Sequence, residues 1–191
     1  EDGIRDDLVT GVQTCALPIY SGQVFLWEKH ENIWYGINGK NVLAVNQEPY
    51  KISSSGQVTD FFRTSDSLEK ILNEISKDSI VKTAVNHSYG LRLLRQDPFQ
   101  CYISFIASSN SNIQNIKRML YNICKKFGDK IEFNNKKFFV FPESKVLSKA
   151  SLKDLQRCGL GYRARFVKEA AAAVESDKIN FDKLKKMNYE N

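Results

Sequence analysis

No apolar run in this sequence is long enough to span a membrane, and it contains no low-complexity tract and no visible internal repeat. These absences set aside a helical membrane span and a repeat array. Cysteine is scarce, with four residues and no CxxC spacing. Cys15 lies in an irregular opening stretch, and Cys101, Cys124 and Cys158 form an odd set, which argues against a disulfide framework and points to the inside of a cell. His30 and His87 are solitary, so no zinc or iron–sulfur site is expected and no cofactor is implied. What remains is an ordinary globular composition, 42% hydrophobic and 26% charged over 191 residues. That length can bury a core as one large or two small domains.

The first part of the chain is strand-like. Apolar and aromatic residues gather in Val24-Phe25-Leu26-Trp27, Ile33-Trp34-Tyr35-Gly36-Ile37 and Val42-Leu43-Ala44-Val45, separated by turns such as Asn38-Gly39-Lys40-Asn41. The pattern predicts an antiparallel sheet up to about Phe62. Asp66 with Glu69 then predicts a capped helix bearing Leu68, Ile71, Leu72 and Ile75, expected to cover one sheet face. A short helix follows over Ser79 to Tyr89. From Leu91 the chain reads as mainly helical, apart from a small hairpin, Lys130 to Phe133 and Lys137 to Phe141, across Asn134-Asn135. The expected class is α+β, with an N-terminal antiparallel sheet domain and covering helix over 20–90 and a helical domain over 91–191.

Two pieces of that helical part carry chemistry. In the first, Asp97 caps a helix, Pro98 suits its first position and Gln100 sits where a capping box wants it. Phe99, Ile103, Phe105 and Ile106 supply apolar bulk. Ala107-Ser108-Ser109-Asn110 then turns small and polar, which ends the helix. Ser111 with Gln114 repeats the capping pattern, and Ile113, Ile116, Leu120, Ile123 and Phe127 run at helical spacing down to Gly128. Asn110 and Asn112 thus fall in a corner between two helices, where helix-terminal donors suit a phosphate or a base edge. Spacing alone favours the plainer reading, that these residues only cap the second helix.

In the second piece, Gly159 and Gly161 bracket Leu160 in a turn, and Tyr162, Arg163 and Arg165 open a new helix. Charge concentrates around both pieces: Ser111 to Lys168 holds 14 Lys and Arg against 4 Asp and Glu, whereas 1–110 holds 10 against 13. A basic run is usually a solvated face, but one combined with an exposed aromatic favours a polyanion such as DNA over a metabolite. No helix pairs a basic face with a Trp-rich apolar one, so a membrane surface is not the expected partner.

The runs SFIASSNSNI and CGLGYRARFVKEAAAAV, with the earlier Ser21-Gly22-Gln23-Val24-Phe25-Leu26-Trp27, resemble in the same order the 8-oxoguanine DNA glycosylase family, including its archaeal members. The resemblance spans roughly Tyr20 to Val174. It implies base-excision repair by a helix-hairpin-helix glycosylase that rotates oxidised guanine out of the duplex, cuts its glycosidic bond and acts as an AP lyase. The implied partner is double-stranded DNA containing oxidised guanine, bound by a monomer. Extrusion costs a few kcal/mol of stacking and pairing, so the hole must be filled. By resemblance, Asn110 enters the vacated space and contacts the widowed cytosine, Tyr162 wedges beside it, and Arg163 hydrogen-bonds the cytosine edge. Asn112, from its place at the helix terminus alone, is a candidate phosphate contact. Gly22 presents a backbone carbonyl to the N7–H that oxidised guanine has and guanine lacks. Without the resemblance, Gly22 is as readily a strand start.

Departures from the family pattern are as informative. Asn115 stands where eukaryotic members carry a second Arg, which implies looser opposite-base fidelity. The family's catalytic element, Gly-Val-Gly followed by a Lys that forms a Schiff base with the sugar, does not occur in these 191 residues. Lys183, Lys185 and Lys186 lack that glycine hairpin and read as a solvated helix face. The chain is therefore read as a glycosylase truncated before its catalytic hairpin and inactive as given. Glu1 to Ile19 has no counterpart in the resemblance, no strand or helix period and no signal-peptide layout, and is read as a non-native leader. Two other classes stay open: a glycosylase for alkylated purines, and a noncatalytic DNA-binding module.

Overall fold

A computed structural model describes residues 16–47, 49–56 and 60–188. The chain divides into two compact units, Glu1–Gly36 with Leu43–Arg95, and Ile37–Val42 with Gln96–Asn191. The fold is α+β, a four-stranded antiparallel sheet followed by a mainly helical part.

The sheet is a meander of β1 (Trp27–His30), β2 (Ile33–Asn38), β3 (Asn41–Gln47) and β4 (Tyr50–Ser54), in sequence order. The expected strand over Val24–Trp27 is shorter than its apolar content suggests: only Trp27 joins β1, opposite Gly36, while Val24 packs into the core from irregular backbone. That core gathers Val24, Trp27, Trp34, Leu43 and Val45 against Phe61 and Phe62. Trp27 stacks on Phe61 at 5.5 Å between ring centroids, and Phe61 meets Phe62 edge-on at 5.0 Å. Each such ring stabilises the unit by about 1.5–3 kcal/mol through burial.

Two expectations are corrected here. Residues 1–15 lie outside the described residues, but the last four residues expected to be leader, 16–19, belong to helix α1 (Ala16–Tyr20), and Ile19 is part of the core. Burying Ile19 against the sheet makes this turn part of the fold. The helix expected to cover the sheet, α2 (Leu68–Ile75), buries none of its residues, and its N-cap is Ser67, while Asp66 pairs with Arg63 at 2.5 Å. The place is taken by Phe61, Phe62 and the extended segment at Leu94. Gln23 holds that segment at both ends of its amide, donating to the Arg92 carbonyl at 2.9 Å and accepting from Leu94 N–H at 3.0 Å. Helix α3 (Ser79–His87) follows, its first turn capped by Asp78.

The helical unit contains α4 (Pro98–Ser108), α5 (Ile113–Phe127), a hairpin of β5 (Lys130–Phe133) and β6 (Lys136–Phe139), α6 (Ser144–Lys149), α7 (Leu152–Leu155), α8 (Arg163–Glu175) and α9 (Phe181–Leu184). Asn134 and Asn135 both take positive φ, 51° and 58°, as a two-residue hairpin turn requires. Asp97 caps α4 by accepting from Gln100 N–H at 2.8 Å, with Pro98 at the first helical position. The reciprocal half of the capping box is absent, because the buried Gln100 side chain is drawn elsewhere. It donates to the Ile37 carbonyl and accepts from Gly39 N–H, and Asn38 Oδ1 takes the Asp97 N–H instead. Ile103 and Ala107 are buried on α4, but Phe105, read as core, is exposed. Ile116, Met119, Leu120 and Ile123 form the buried stripe of α5. Its N-cap is Asn112 rather than Ser111, which leaves Ile113 half exposed.

Candidate nucleic-acid interface

The corner between α4 and α5 is made by small polar residues that satisfy backbone groups locally. Ser108 Oγ donates to the Phe105 carbonyl at 2.7 Å, and Asn112 Oδ1 accepts from Asn115 N–H at 2.9 Å. Between them Asn110 adopts φ of 47°, a left-handed conformation that Asn tolerates better than most residues. The reversal turns two carbonyls toward α8. Arg163 takes both: Nε donates to the Ser109 carbonyl at 2.8 Å and Nη2 to the Asn110 carbonyl at 2.9 Å, with a further Nη2 bond to Ser109. The guanidinium also lies 4.6 Å from the Tyr162 ring centroid. Tyr162 itself is 59% exposed, a broad aromatic surface held beside the corner rather than in the core.

A strained turn brings Tyr162 and Arg163 there. The segment Gln156–Leu160 forms a π-type turn, with Gly159 at φ 91° and Gly161 at φ 56°, both open to glycine and costly for other residues. Leu160 is completely buried between them and pins the turn to the core. Asn122 of α5 donates to the Cys158 carbonyl at 3.2 Å. Ahead of the turn, Asp154 accepts from Lys126 Nζ at 2.7 Å and from Ser151 Oγ at 2.8 Å, with Arg157 at 3.4 Å. Lys126 first, then Ser151, lower the Asp154 pKa to about 2. A carboxyl depressed in the folded state contributes stability above its unfolded pKa, about 4, and loses that contribution as pH falls toward 2. A carbon-detected NMR titration of Asp154 is expected to show a midpoint near 2; a midpoint at the unperturbed position would mean that the Lys126 tether does not form. Burial pushes the Cys124 thiol up to about 12 and raises that of Cys158, so neither offers a thiolate at neutral pH.

The corner and the turn border an open recess of about 690 Å³. Ser108, Asn110, Ser111 and Asn112 line the corner side; Asn115, Arg118 and Met119 of α5, with Gly159 and Arg163, line the rest. No carboxylate is among these residues, whereas two are guanidiniums. The α5 N-terminus adds the partial positive charge of its unpaired amides. The recess therefore suits an acceptor-rich or anionic ligand.

Of the residues singled out in the sequence, Asn110, Asn112 and Arg163 meet at this recess, and Tyr162 stands beside it through its stack on Arg163. Arg163 commits Nε and Nη2 to the corner, and among the described residues no hydrogen bond is made by its Nη1. Asn112 spends its side-chain oxygen as the α5 cap. Gly22 belongs to the sheet unit, where it lies in the turn after α1 with φ 84° and not at a strand start, and open space surrounds the position a Cβ would take. Lys183 and Lys185 flank the end of α9 in exposed pairs, with Asp177 at 3.0 Å and Asp182 at 3.5 Å. Sequence reasoning missed Arg118. The signal was available, since 112, 115 and 118 share one stripe of α5 at three-residue spacing.

Comparison with known proteins bears on the family of the chain. The chain matches two family models in tandem, "8-oxoguanine DNA glycosylase, N-terminal domain" over residues 13–102 and "HhH-GPD superfamily base excision DNA repair protein" over residues 103–189. The first match begins inside the stretch read as leader, so residues 13–19 fall within the matched domain. The chain is 29% identical over 178 residues to the N-glycosylase/DNA lyase OGG1 of Arabidopsis thaliana, covering 85% of this chain and 49% of that protein. It is 36% identical over 120 residues to the N-glycosylase/DNA lyase of Saccharomyces cerevisiae, covering 62% of this chain and 32% of that protein. It thus spans between about a third and a half of these curated relatives. Among solved structures, the Clostridium acetobutylicum 8-oxoguanine glycosylase/lyase, in complex with double-stranded DNA containing cytosine opposite 8-oxoguanine, superposes with a TM-score of 0.81 at 29% identity. That match covers 90% of this chain and 62% of that one. A sheet unit and a helical unit matching these two models in order place the chain in the 8-oxoguanine DNA glycosylase family of the HhH-GPD superfamily.

Proposed function

We propose that this chain is the lesion-reading part of a base-excision N-glycosylase/DNA lyase acting on 8-oxoguanine opposite cytosine in double-stranded DNA. The observation that carries this is the Asn110 corner, clamped by Arg163 beside the exposed Tyr162 and bordering a recess without carboxylates. In this reading Asn110 fills the space left by the extruded base, Tyr162 wedges the stack, and Nη1 of Arg163 donates to the opposite cytosine. Asn112 presents the helix terminus to a phosphate. The Gly22 carbonyl meets the N7–H of the lesion, and the open space around that glycine supports close approach by a base. One extra donor met by a prepositioned acceptor rejects undamaged guanine by leaving a polar group unpaired.

The same reading makes this chain a binder without turnover. The Gly-Val-Gly element followed by a Lys does not occur in these 191 residues, and Lys183 and Lys185 sit in solvated ion pairs. Fluorescence anisotropy is expected to give roughly tenfold tighter binding to a duplex with 8-oxoguanine opposite cytosine than to its guanine counterpart, about 1.4 kcal/mol. Borohydride is expected to trap no covalent protein–DNA adduct. Equal affinity for the two duplexes would overturn lesion reading, and a trapped adduct would show that an amine of this chain serves as nucleophile.

A further inference from the structure

We infer that Arg118, steered by Asn115, is a second base-reading group of the recess and sets its preference for cytosine as the opposite base. The inference rests on the lesion-reading function proposed above. Arg163 cannot present its two-nitrogen fork, because its Nε and Nη2 already hold the Ser109 and Asn110 carbonyls, and only Nη1 remains to point at a ligand. Arg118 lines the same recess from the second turn of α5. Among the described residues its guanidinium makes a single hydrogen bond, from Nη2 to Asn115 Oδ1 at 2.9 Å. That bond fixes the orientation of a side chain otherwise exposed to solvent, while Nε and Nη1 keep their donors for a ligand. Asn115 is itself held at the start of α5, where its N–H is capped by Asn112. The recess thus brings together two arginines, each tethered by part of its guanidinium and each with donors to spare.

The chemistry of the four bases then selects among ligands. A cytosine without its partner presents two adjacent acceptors, N3 and O2, on its pairing edge. Guanine and thymine each place an N–H donor in the middle of that edge, which would face a guanidinium donor with like polarity. Adenine offers one ring acceptor beside an amino donor. Arginine has donors only. Two such groups around a recess without a carboxylate therefore match cytosine and leave an unpaired donor against each of the others. The same arrangement offsets the looser fidelity that Asn115 implies when the sequence alone is considered: Asn115 supplies the acceptor that aims Arg118.

The test uses this chain and duplexes carrying a tetrahydrofuran abasic analogue opposite each of the four bases, with binding measured by anisotropy. The unmodified chain is expected to prefer cytosine by about tenfold, the size of one good guanidinium–base contact. Arg118→Ala should level that ranking, and Arg118→Lys should too, since an ammonium keeps the charge but lacks the fork. Asn115→Ala removes the tether but keeps the guanidinium, so it should shrink the cytosine preference by less than Arg118→Ala does. If Arg118→Ala weakens all four complexes equally, Arg118 is a phosphate contact and the inference fails. It fails also if the ranking survives Arg118→Ala, if Arg118→Lys restores it, or if the unmodified chain shows no ranking. Each of these results leaves the proposed function standing as long as an 8-oxoguanine duplex is still bound better than its guanine counterpart. Loss of that lesion preference in the unmodified chain overturns both. Circular dichroism of the variants, all at exposed or half-exposed positions, separates misfolding from loss of contact.

Discussion

Asn110→Gly is expected to lose about 1–3 kcal/mol of binding to duplex DNA carrying 8-oxoguanine opposite cytosine, the weight of a hydrogen-bonded side chain in a closed interface, and to bind the same lesion in a single strand unchanged. Glycine is the informative replacement. Asn110 sits at φ 47°, and alanine there would add about 1–2 kcal/mol of left-handed strain, so a loss could come from a distorted corner instead of a missing plug. Tyr162→Ala should show the same split between duplex and single strand. Its side chain is exposed, so little folding energy is at stake beyond its edge-on contact with Phe166 and its stack on Arg163, the latter about 0.5–1 kcal/mol at such a site. Gly22→Ala should behave differently, weakening both forms alike, because neither crowding at the lesion base nor the strain of alanine at φ 84° depends on a second strand. The measurement is anisotropy on matched duplex and single-stranded oligonucleotides, read as the ratio of the two affinities. Equal losses on both for Asn110→Gly and Tyr162→Ala would reduce the corner to a helix cap.

A large effect on folding is expected at Gly128. This glycine ends α5 with an ordinary φ of −84°, so it is not required by a left-handed cap. Proximity is what requires it: a Cβ there would lie inside the van der Waals shell of the Val140 carbonyl oxygen, with the Cys124 carbonyl close on the other side. Both are backbone atoms. Cys124 O already accepts from Gly128 N–H at 2.8 Å, and Val140 N–H is held by the Asp129 carbonyl at 3.0 Å, so neither yields cheaply. Overpacking of this kind costs about 1–3 kcal/mol and occasionally more. Thermal unfolding of Gly128→Ala should drop by about 2–4 °C for each kcal/mol, with fluorescence of the sheet unit's tryptophans compared against far-UV dichroism dominated by helices. An unchanged midpoint by both probes would show that the hairpin after Gly128 shifts freely.

The periodicities of the chain were enough to place most elements. Continuous apolar runs in β2 and β3, three- and four-residue spacing in α5, and the Asn134-Asn135 turn are local signals, and the structure follows them. Ordered motifs likewise pointed to the family that the tandem domain matches show. Partnership was less legible. Gln100 has the right spacing for a capping box, yet its amide is satisfied by Ile37 and Gly39, some sixty residues earlier in the chain. The amphipathic pattern of α2 predicts a buried face, but Phe61, Phe62 and the segment held by Gln23 occupy the sheet core and leave α2 without a buried residue.

At the candidate site the division has the same cause. Residue types and their order, Asn110 in a polar corner and Tyr162-Arg163 after a glycine turn, were decided within short stretches, where backbone preferences act over a few residues. Which donors remain free is a tertiary matter. It depends on carbonyls that the Asn110 reversal turns toward α8, and these commit two nitrogens of Arg163. It depends equally on the packing of Leu160 and Met119, which places Gly159 and Arg118 around one recess. A hydrogen-bonding group has a fixed number of donors, and only the three-dimensional neighbourhood determines how many the fold itself consumes.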